Sequence, residues 1–362
     1  MTTPSPSLPS SDPRLAGLRH WLQARAPQFG LRVDTLRPAS ADASFRRYFR
    51  VDTDDAVQPS LIVMDAPPER EDSAAFVRVA HRFARAGAST PALLDTDLPA
   101  GYLLLGDLGM LTYADALGAA APAQVERMYA DALDTLVRIQ CGAAADTLPP
   151  YDRALLRMEL QLFPDWYVQR HLGITMTDRE QAVLAGSFER LIAAALAQPQ
   201  VDVHRDYHCR NLMLLQPPAM ASTGAPTPTN PGVLDFQDAV RGPITYDLVS
   251  LLRDAYVDWP EARQIDWAVR YWEQARAAGL PVARDFGVFW QDFEWMGLQR
   301  HLKVLGIFAR LSHRDGKHRY LADLPRVRGY ARAAAARYDA LAPLARLFDR
   351  LADAAPRSGW TF

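Results

Sequence analysis

The 362-residue chain carries 40 Lys plus Arg against 42 Asp plus Glu, a formal net charge of −2 with the histidines neutral. A balance this close to zero gives no electrostatic reason to expect a nucleic acid or a membrane surface as partner, and the length allows one large or two moderate domains. Two cysteines, Cys141 and Cys209, cannot build a disulfide framework, and the opening residues lack the basic region and apolar run of a signal peptide, so a cytoplasmic protein is expected.

Residues 1 to 13 are rich in Pro and Ser and read as a disordered tail. A helix follows from Pro13 to Phe29, because Leu15, Leu18, Trp21 and Leu22 recur at helical spacing. Strand-like alternation marks Leu31 to Leu36 and Phe45 to Val51, and Ser60 to Met64 reads as a third strand. Residues 69 to 86 are expected to be helical, with Glu69, Glu71 and Asp72 in the first turn where the helix dipole favours acids. Gly101 to Gly109 reads as a buried strand running into a glycine-bounded turn. Beyond it the pattern is helical: Val125 to Ile139, Leu155 to Leu172, and Phe286 to Leu311, whose two apolar faces predict a helix sandwiched in a core. Arg326 to Leu351 is expected to be one Ala/Arg/Leu helix.

Between Asn211 and Leu234 lies an uncharged interval long enough to span a bilayer. Its five prolines exclude a continuous apolar helix, so residues 216 to 232 are read as a flexible insertion.

The chemistry is carried by the residues around that interval. His204-Arg205-Asp206 is followed by Asn211 five residues after the aspartate, and Asp235 stands directly behind a short apolar run. A phosphoryl group in transfer has a loose, charge-spread transition state, so the protein mainly aligns an acceptor hydroxyl and holds magnesium on the phosphates. Asp206 is the candidate base for the hydroxyl proton. Asn211 and Asp235 are candidate magnesium ligands, because hard cations prefer oxygen. Short strands at Leu212 to Leu215 and Val233 to Asp235 would present these groups from the ends of a hairpin.

The same residues form His-x-Asp-x-His-x-x-Asn (204 to 211), Leu-Asp-Phe-Gln-Asp-Ala (234 to 239) and Gly-Pro-x-x-Tyr-Asp-Leu (242 to 248), and here the chain resembles the aminoglycoside phosphotransferase-like kinases, relatives of the protein kinases. Asp-Ala-Ser-Phe-Arg-Arg-Tyr-Phe-Arg (42 to 50), Met-Asp-Ala-Pro-Pro (64 to 68) and Tyr-Asp-Leu-Val-Ser-Leu-Leu-Arg-Asp (246 to 254) are similar, more narrowly, to the bacterial N-acetylmuramate/N-acetylglucosamine anomeric kinases of cell-wall recycling.

The resemblance implies an α+β, protein-kinase-like fold of two lobes: a small antiparallel nucleotide-binding lobe over residues 14 to 108 and a larger, mainly helical catalytic and substrate lobe over 109 to 362. It implies ATP with magnesium, and a product phosphorylated on the anomeric hydroxyl. The loop between the first two strands would cover the nucleotide phosphates, with Ser44 and Arg46 as donors in place of glycines. The backbone of Gly106, Asp107 and Leu108 would pair with adenine. Asp247 would hydrogen-bond the catalytic loop, and His204 and His208 would support it.

Protein kinases carry a lysine on the third strand. Met64 stands at about that position, so Arg46, Arg47 or Arg50 is expected to supply the charge. Glu71 could pair with one of these arginines, although a helix-start charge is the simpler reading. Substrate contacts are assigned to Glu159, Asp238 and Arg300, with Glu159 otherwise a solvated residue on a helix face.

Three alternatives stand beside this reading. An aminoglycoside or another small hydroxyl compound could be the acceptor, although a polycation calls for an acidic cleft and the second half shows no acidic block. His204-x-Asp206-x-His208 could be a transition-metal cluster of a hydrolase. The missing lysine and loop glycines could also mark a degenerate kinase that binds nucleotide without turnover.

Overall fold

The computed structural model describes residues 12–40, 45–142, 148–215 and 229–354. Ser44, most of the 1–13 tail and residues 216–228 of the insertion lie outside them. In chain order the elements begin with helix α1 (Pro13–Phe29), strands β1 (Leu31–Ser40), β2 (Arg47–Thr53) and β3 (Ser60–Asp65), helix α2 (Ser73–Arg85), and strands β4 (Leu93–Asp97) and β5 (Tyr102–Gly106). Helices α3 (Tyr113–Leu117), α4 (Pro122–Cys141), α5 (Arg153–Leu162) and α6 (Asp178–Ala197) follow, then β6 (Gln200–Val203), β7 (Leu212–Met213), β8 (Gly232–Val233) and β9 (Val240–Pro243). The chain closes with α7 (Tyr246–Leu252), α8 (Glu261–Ala277), α9 (Phe286–His313), α10 (Leu324–Arg337) and α11 (Ala342–Ala354). Among the described residues no helix is long and apolar enough to cross a membrane.

Residue contacts divide the chain into two units, one of residues 1–116 with 211–238 and one of 117–210 with 239–362. The sequence reading places residues 109–116 and 211–238 in the second lobe, whereas their contacts tie them to the first. Val233 donates its N–H to Ser89 O and Leu214 to Leu111 O, both at 2.8 Å. The Phe236 ring packs on Phe76 and Phe83, with centroids 4.9 and 6.0 Å apart.

The first unit is built on a five-stranded sheet of order β1-β2-β3-β5-β4, antiparallel throughout. Leu15, Leu18, Trp21 and Leu22 of α1 close one face over Leu36, Phe49, Val51, Leu61, Val63 and Leu104, as the period-two alternation of the strands requires. The expected helix at 69–86 starts four residues late, at Ser73. The Asp72 carboxylate caps it, accepting from Ala74 N (2.9 Å) and Ala75 N (3.1 Å), and Glu69 and Glu71 precede the helix instead of lying in its first turn.

The second unit is helical apart from the β6–β9 ribbon. Its central element is α9, with Phe289, Phe293, Met296, Leu298, Leu302 and Phe308 all buried. Gly306 lets α9 approach the end of α5, for a Cβ there would lie 2.4 Å from the Leu162 carbonyl. At this contact α5 widens into a π-helical stretch, Phe163–His171, where Pro164 brings no N–H for an α-helical ladder.

The tail is two helices instead of the expected one. Tyr338 turns extended (φ −119°, ψ 124°), and Arg337 Nη1 and the Tyr338 hydroxyl both donate to Glu294 of α9, each at 2.6 Å.

Candidate active site

In the second unit β6 delivers the chain to His204–Arg210, a loop suspended from buried carboxylates. Asp247, in the first turn of α7, accepts the His204 N–H at 2.6 Å on one oxygen and the Arg205 N–H at 3.0 Å on the other. Asp254, two residues beyond α7, accepts the Cys209 N–H at 3.0 Å. His204 is buried, and its Nδ1 accepts the Asp206 N–H at 3.2 Å. His208 packs edge-on against Tyr256. Arg205 takes φ 77°, and among the described residues it and Asp235 (φ 60°) are the non-glycine positions with positive φ. Backbone strain of this kind persists where the surroundings over-determine it, which is characteristic of working sites.

Asp206 leaves this loop with a carboxylate 46% exposed, and Arg300 Nη2 of α9 lies 3.8 Å from it. Burial of its surroundings works against the charge, but Lys303, His208, Arg300 and Arg205 outweigh that and hold the carboxyl at about 2. Asp247 shows the opposite balance. Burial pushes its carboxyl up to about 6, against the His204 and Arg205 contacts that lower it.

Glu159 is not the solvated face residue of the sequence reading. It is 3% exposed, and its carboxylate is shared among Arg205, Lys303 Nζ (3.0 Å) and the Tyr151 hydroxyl. A glutamate turned into the core between two cations is spent on holding them. Arg205 thus joins the site as a residue to which the sequence reading gave no role, and Lys303 joins it through Glu159. The signal for Lys303 was available: Gln299, Arg300 and Lys303 interrupt an apolar stretch of α9 at helical spacing, and buried cations imply partners. The transition-metal reading fails as well. Among the described residues no three His, Cys, Asp or Glu side chains are grouped to hold a metal, and His204 Nδ1 is occupied by the Asp206 N–H.

In the first unit β7 pairs antiparallel with β8 in the register Leu212↔Val233, shorter than the strands expected. Asn211 Nδ2 lies 3.4 Å from Asp235 Oδ2, and Gln237 Nε2 donates to Asp235 Oδ1 at 2.7 Å. The donor set fits magnesium. Turning the Asn211 amide over would bring an oxygen near that Asp235 oxygen, and neighbouring ligands of an octahedral ion at 2.1 Å stand about 3 Å apart. Asp238 is exposed.

On the sheet, Met64 is fully buried. All three arginines face carboxylates: Arg46 meets Glu71 at 2.7 Å, Arg47 meets Asp65 and Asp12, and Arg50 meets Asp107 at 2.5 and 3.0 Å. The simpler reading of Glu71 as a helix-start charge therefore gives way to the ion pair. Gly106 donates its N–H to Ala92 O at 2.8 Å, which removes that donor from the adenine-pairing set, and the Asp107 side chain is engaged with Arg50 and Ser60. Leu108 follows, partly exposed.

An antiparallel sheet unit and a mainly helical unit define a fold of the protein-kinase-like class. Residues 35–286 match the family described as APH, the phosphotransferase enzyme family. The chain belongs to that family. It is 47% identical to the N-acetylmuramate/N-acetylglucosamine kinase of Pseudomonas aeruginosa over 94% of this chain and 98% of that one. It is 43% identical to the enzyme of the same name from Neisseria meningitidis, over 95% and 98%. Among solved structures it shares its fold with a choline/ethanolamine kinase family protein from Mesorhizobium loti (TM-score 0.57, 14% identity, 92% and 99% covered). An ADP-bound aminoglycoside phosphotransferase is similar at TM-score 0.52 and 14% identity, with 85% and 96% covered.

Proposed function

We propose that the protein is a cytoplasmic kinase that transfers the terminal phosphoryl group of ATP to the anomeric hydroxyl of N-acetylmuramate or N-acetylglucosamine, yielding the sugar 1-phosphate for peptidoglycan recycling. The observation that carries the chemistry is the half-exposed Asp206 carboxylate, ionised and ringed by Arg300, Lys303 and Arg205. The near-full-length similarity to kinases of these two sugars supports the acceptor.

Magnesium, held by Asp235 and Asn211, would screen the charge of the phosphates. The rest falls to the chain. Asp206 accepts the hydrogen bond of the acceptor hydroxyl and aims its oxygen. A carboxylate held at about 2 is a weak base, so the proton reaches it late, once bond formation to phosphorus has acidified the hydroxyl. A hemiacetal hydroxyl, more acidic than a simple alcohol, suits so weak a base. Asp247 fixes the loop through two backbone N–H groups, and His204 fixes the Asp206 N–H. The cations around Asp206 disfavour a polycationic aminoglycoside at the same place.

Asp206→Asn tests the assignment. Turnover should fall roughly 10²- to 10⁴-fold with ATP binding retained. Residual turnover equal to the parent's would remove Asp206 from the role of base, and a parent that binds ATP but turns over none of these acceptors would favour the degenerate-kinase reading.

A further inference from the structure

Protein kinases hold the nucleotide phosphates with a third-strand lysine, itself fixed by a glutamate, and the buried Met64 occupies that region of β3 here. We propose that Arg46, fixed by Glu71, replaces that lysine as the cation on the nucleotide phosphates. This rests on the nucleotide-binding half of the proposed function.

The sheet register makes the case. Tyr48 pairs with Met64, and Arg47 with Asp65. Side chains alternate between the faces of a strand. Phe49, Val51, Leu61 and Val63 lie on the α1 side with the core. Arg47 belongs to that face too, where it meets Asp65 and Asp12, the cap of α1. Tyr48, Arg50 and Met64 lie on the other. Arg46 lies one residue ahead of β2; extending the register beyond Arg47↔Asp65 would put it on the second face, diagonal to Met64, and such diagonal neighbours are about 7–8 Å apart in paired strands. A long guanidinium side chain spans that distance, so moving the cation from β3 to the start of β2 keeps positive charge over one patch of sheet.

The other arginine on this face is committed elsewhere. Arg50 forks onto Asp107 and reaches the Gly109 carbonyl at 3.0 Å, at the β5 end. Arg46 lies at the opposite end, beside the β1–β2 connection. Arg46 and Glu71 are 8% and 10% exposed at the side chain and 2.7 Å apart, and Glu71 also accepts the Phe45 N–H at 3.1 Å. The glutamate therefore fixes both the guanidinium and the backbone that carries it, as the helix glutamate fixes the lysine in protein kinases. A planar, five-donor guanidinium can serve a carboxylate and a phosphate together.

The test is calorimetric binding of ATP and of adenosine to the full chain, with no acceptor present. The parent should bind ATP far more tightly than adenosine. In Arg46→Gln that ratio should fall by at least about tenfold with adenosine affinity unchanged. Glu71→Gln should lower it less, and Arg46→Lys should recover part of it. ATP and adenosine affinities in Arg46→Gln both within twofold of the parent overturn the proposal. Should Arg46→Gln not fold, an unchanged ratio in Glu71→Gln overturns it equally. A parent that binds ATP no better than adenosine would sink the nucleotide-binding reading itself.

Discussion

Lys303 of α9 places its Nζ 3.0 Å from the carboxylate of Glu159 on α5, with side chains 8% and 3% exposed. Arg205, the residue before Asp206 and the one at φ 77°, completes the same cluster. Removing one partner of a buried ion pair leaves uncompensated charge, at a cost of roughly 3–5 kcal/mol. Glu159→Gln should therefore lower the thermal midpoint clearly and reduce turnover on the order of 10- to 100-fold through a displaced Arg205–Asp206 backbone. Were the acceptor KM to rise alone, with stability untouched, Glu159 would be a sugar ligand after all.

Asp247 and Asp206 separate in their pH behaviour. Asp206, at about 2, stays ionised across the working range and contributes no acid limb there. Asp247 is raised to about 6, so in the folded state it takes up a proton as pH falls through that value and becomes a poorer acceptor for the loop N–H groups. Turnover should fall below about pH 6 on this account.

The stability effect has the opposite sign. Between the ordinary carboxyl pKa and about 6 the folded state binds the proton more tightly than the unfolded chain, so this group's contribution to stability declines as pH rises through that window. Unfolding midpoints against pH for the parent and Asp247→Asn read this directly, and the variant should lack that decline.

Asp235 and Asn211 are read as magnesium ligands. Asp235→Asn should raise the magnesium concentration needed for half-maximal rate and cut turnover about 100-fold or more, with the fold intact by circular dichroism. An unchanged magnesium dependence would assign the metal to other groups.

Gly306→Ala probes the contact that seats α9. Its Cβ would meet the Leu162 backbone at 2.4 Å, so α9 must shift, at about 1–3 kcal/mol in stability. Because α9 also carries Arg300 and Lys303, turnover should fall with the midpoint. A variant as stable as the parent would show that the two helices give way without strain.

Much of this architecture was legible in the chain because local signals and tertiary needs agree. The spacing of Leu15, Leu18, Trp21 and Leu22 marks the helix that covers the sheet, and the Asp206, Asn211 and Asp235 spacing marks the family. What escaped was decided by partners distant in sequence. Nothing local to Glu159 tells that Lys303, 144 residues on, will be buried beside it. The sequence leaves Glu71 open between a helix-start charge and an arginine partner, and the choice turns on Asp72 capping α2 and leaving its neighbour to face Arg46. The break at Tyr338 likewise depends on Glu294, 44 residues earlier, drawing its hydroxyl inward. Strand β4 escaped because its burial is only partial, which leaves little alternation to detect.

The central claim is tested most directly by phosphorus and carbon NMR of the product formed from ATP, magnesium and an equimolar mixture of N-acetylmuramate, N-acetylglucosamine and kanamycin. The account predicts a phosphate coupled to the anomeric carbon of an amino sugar. A phosphate on kanamycin, or on any sugar carbon other than the anomeric one, would contradict it.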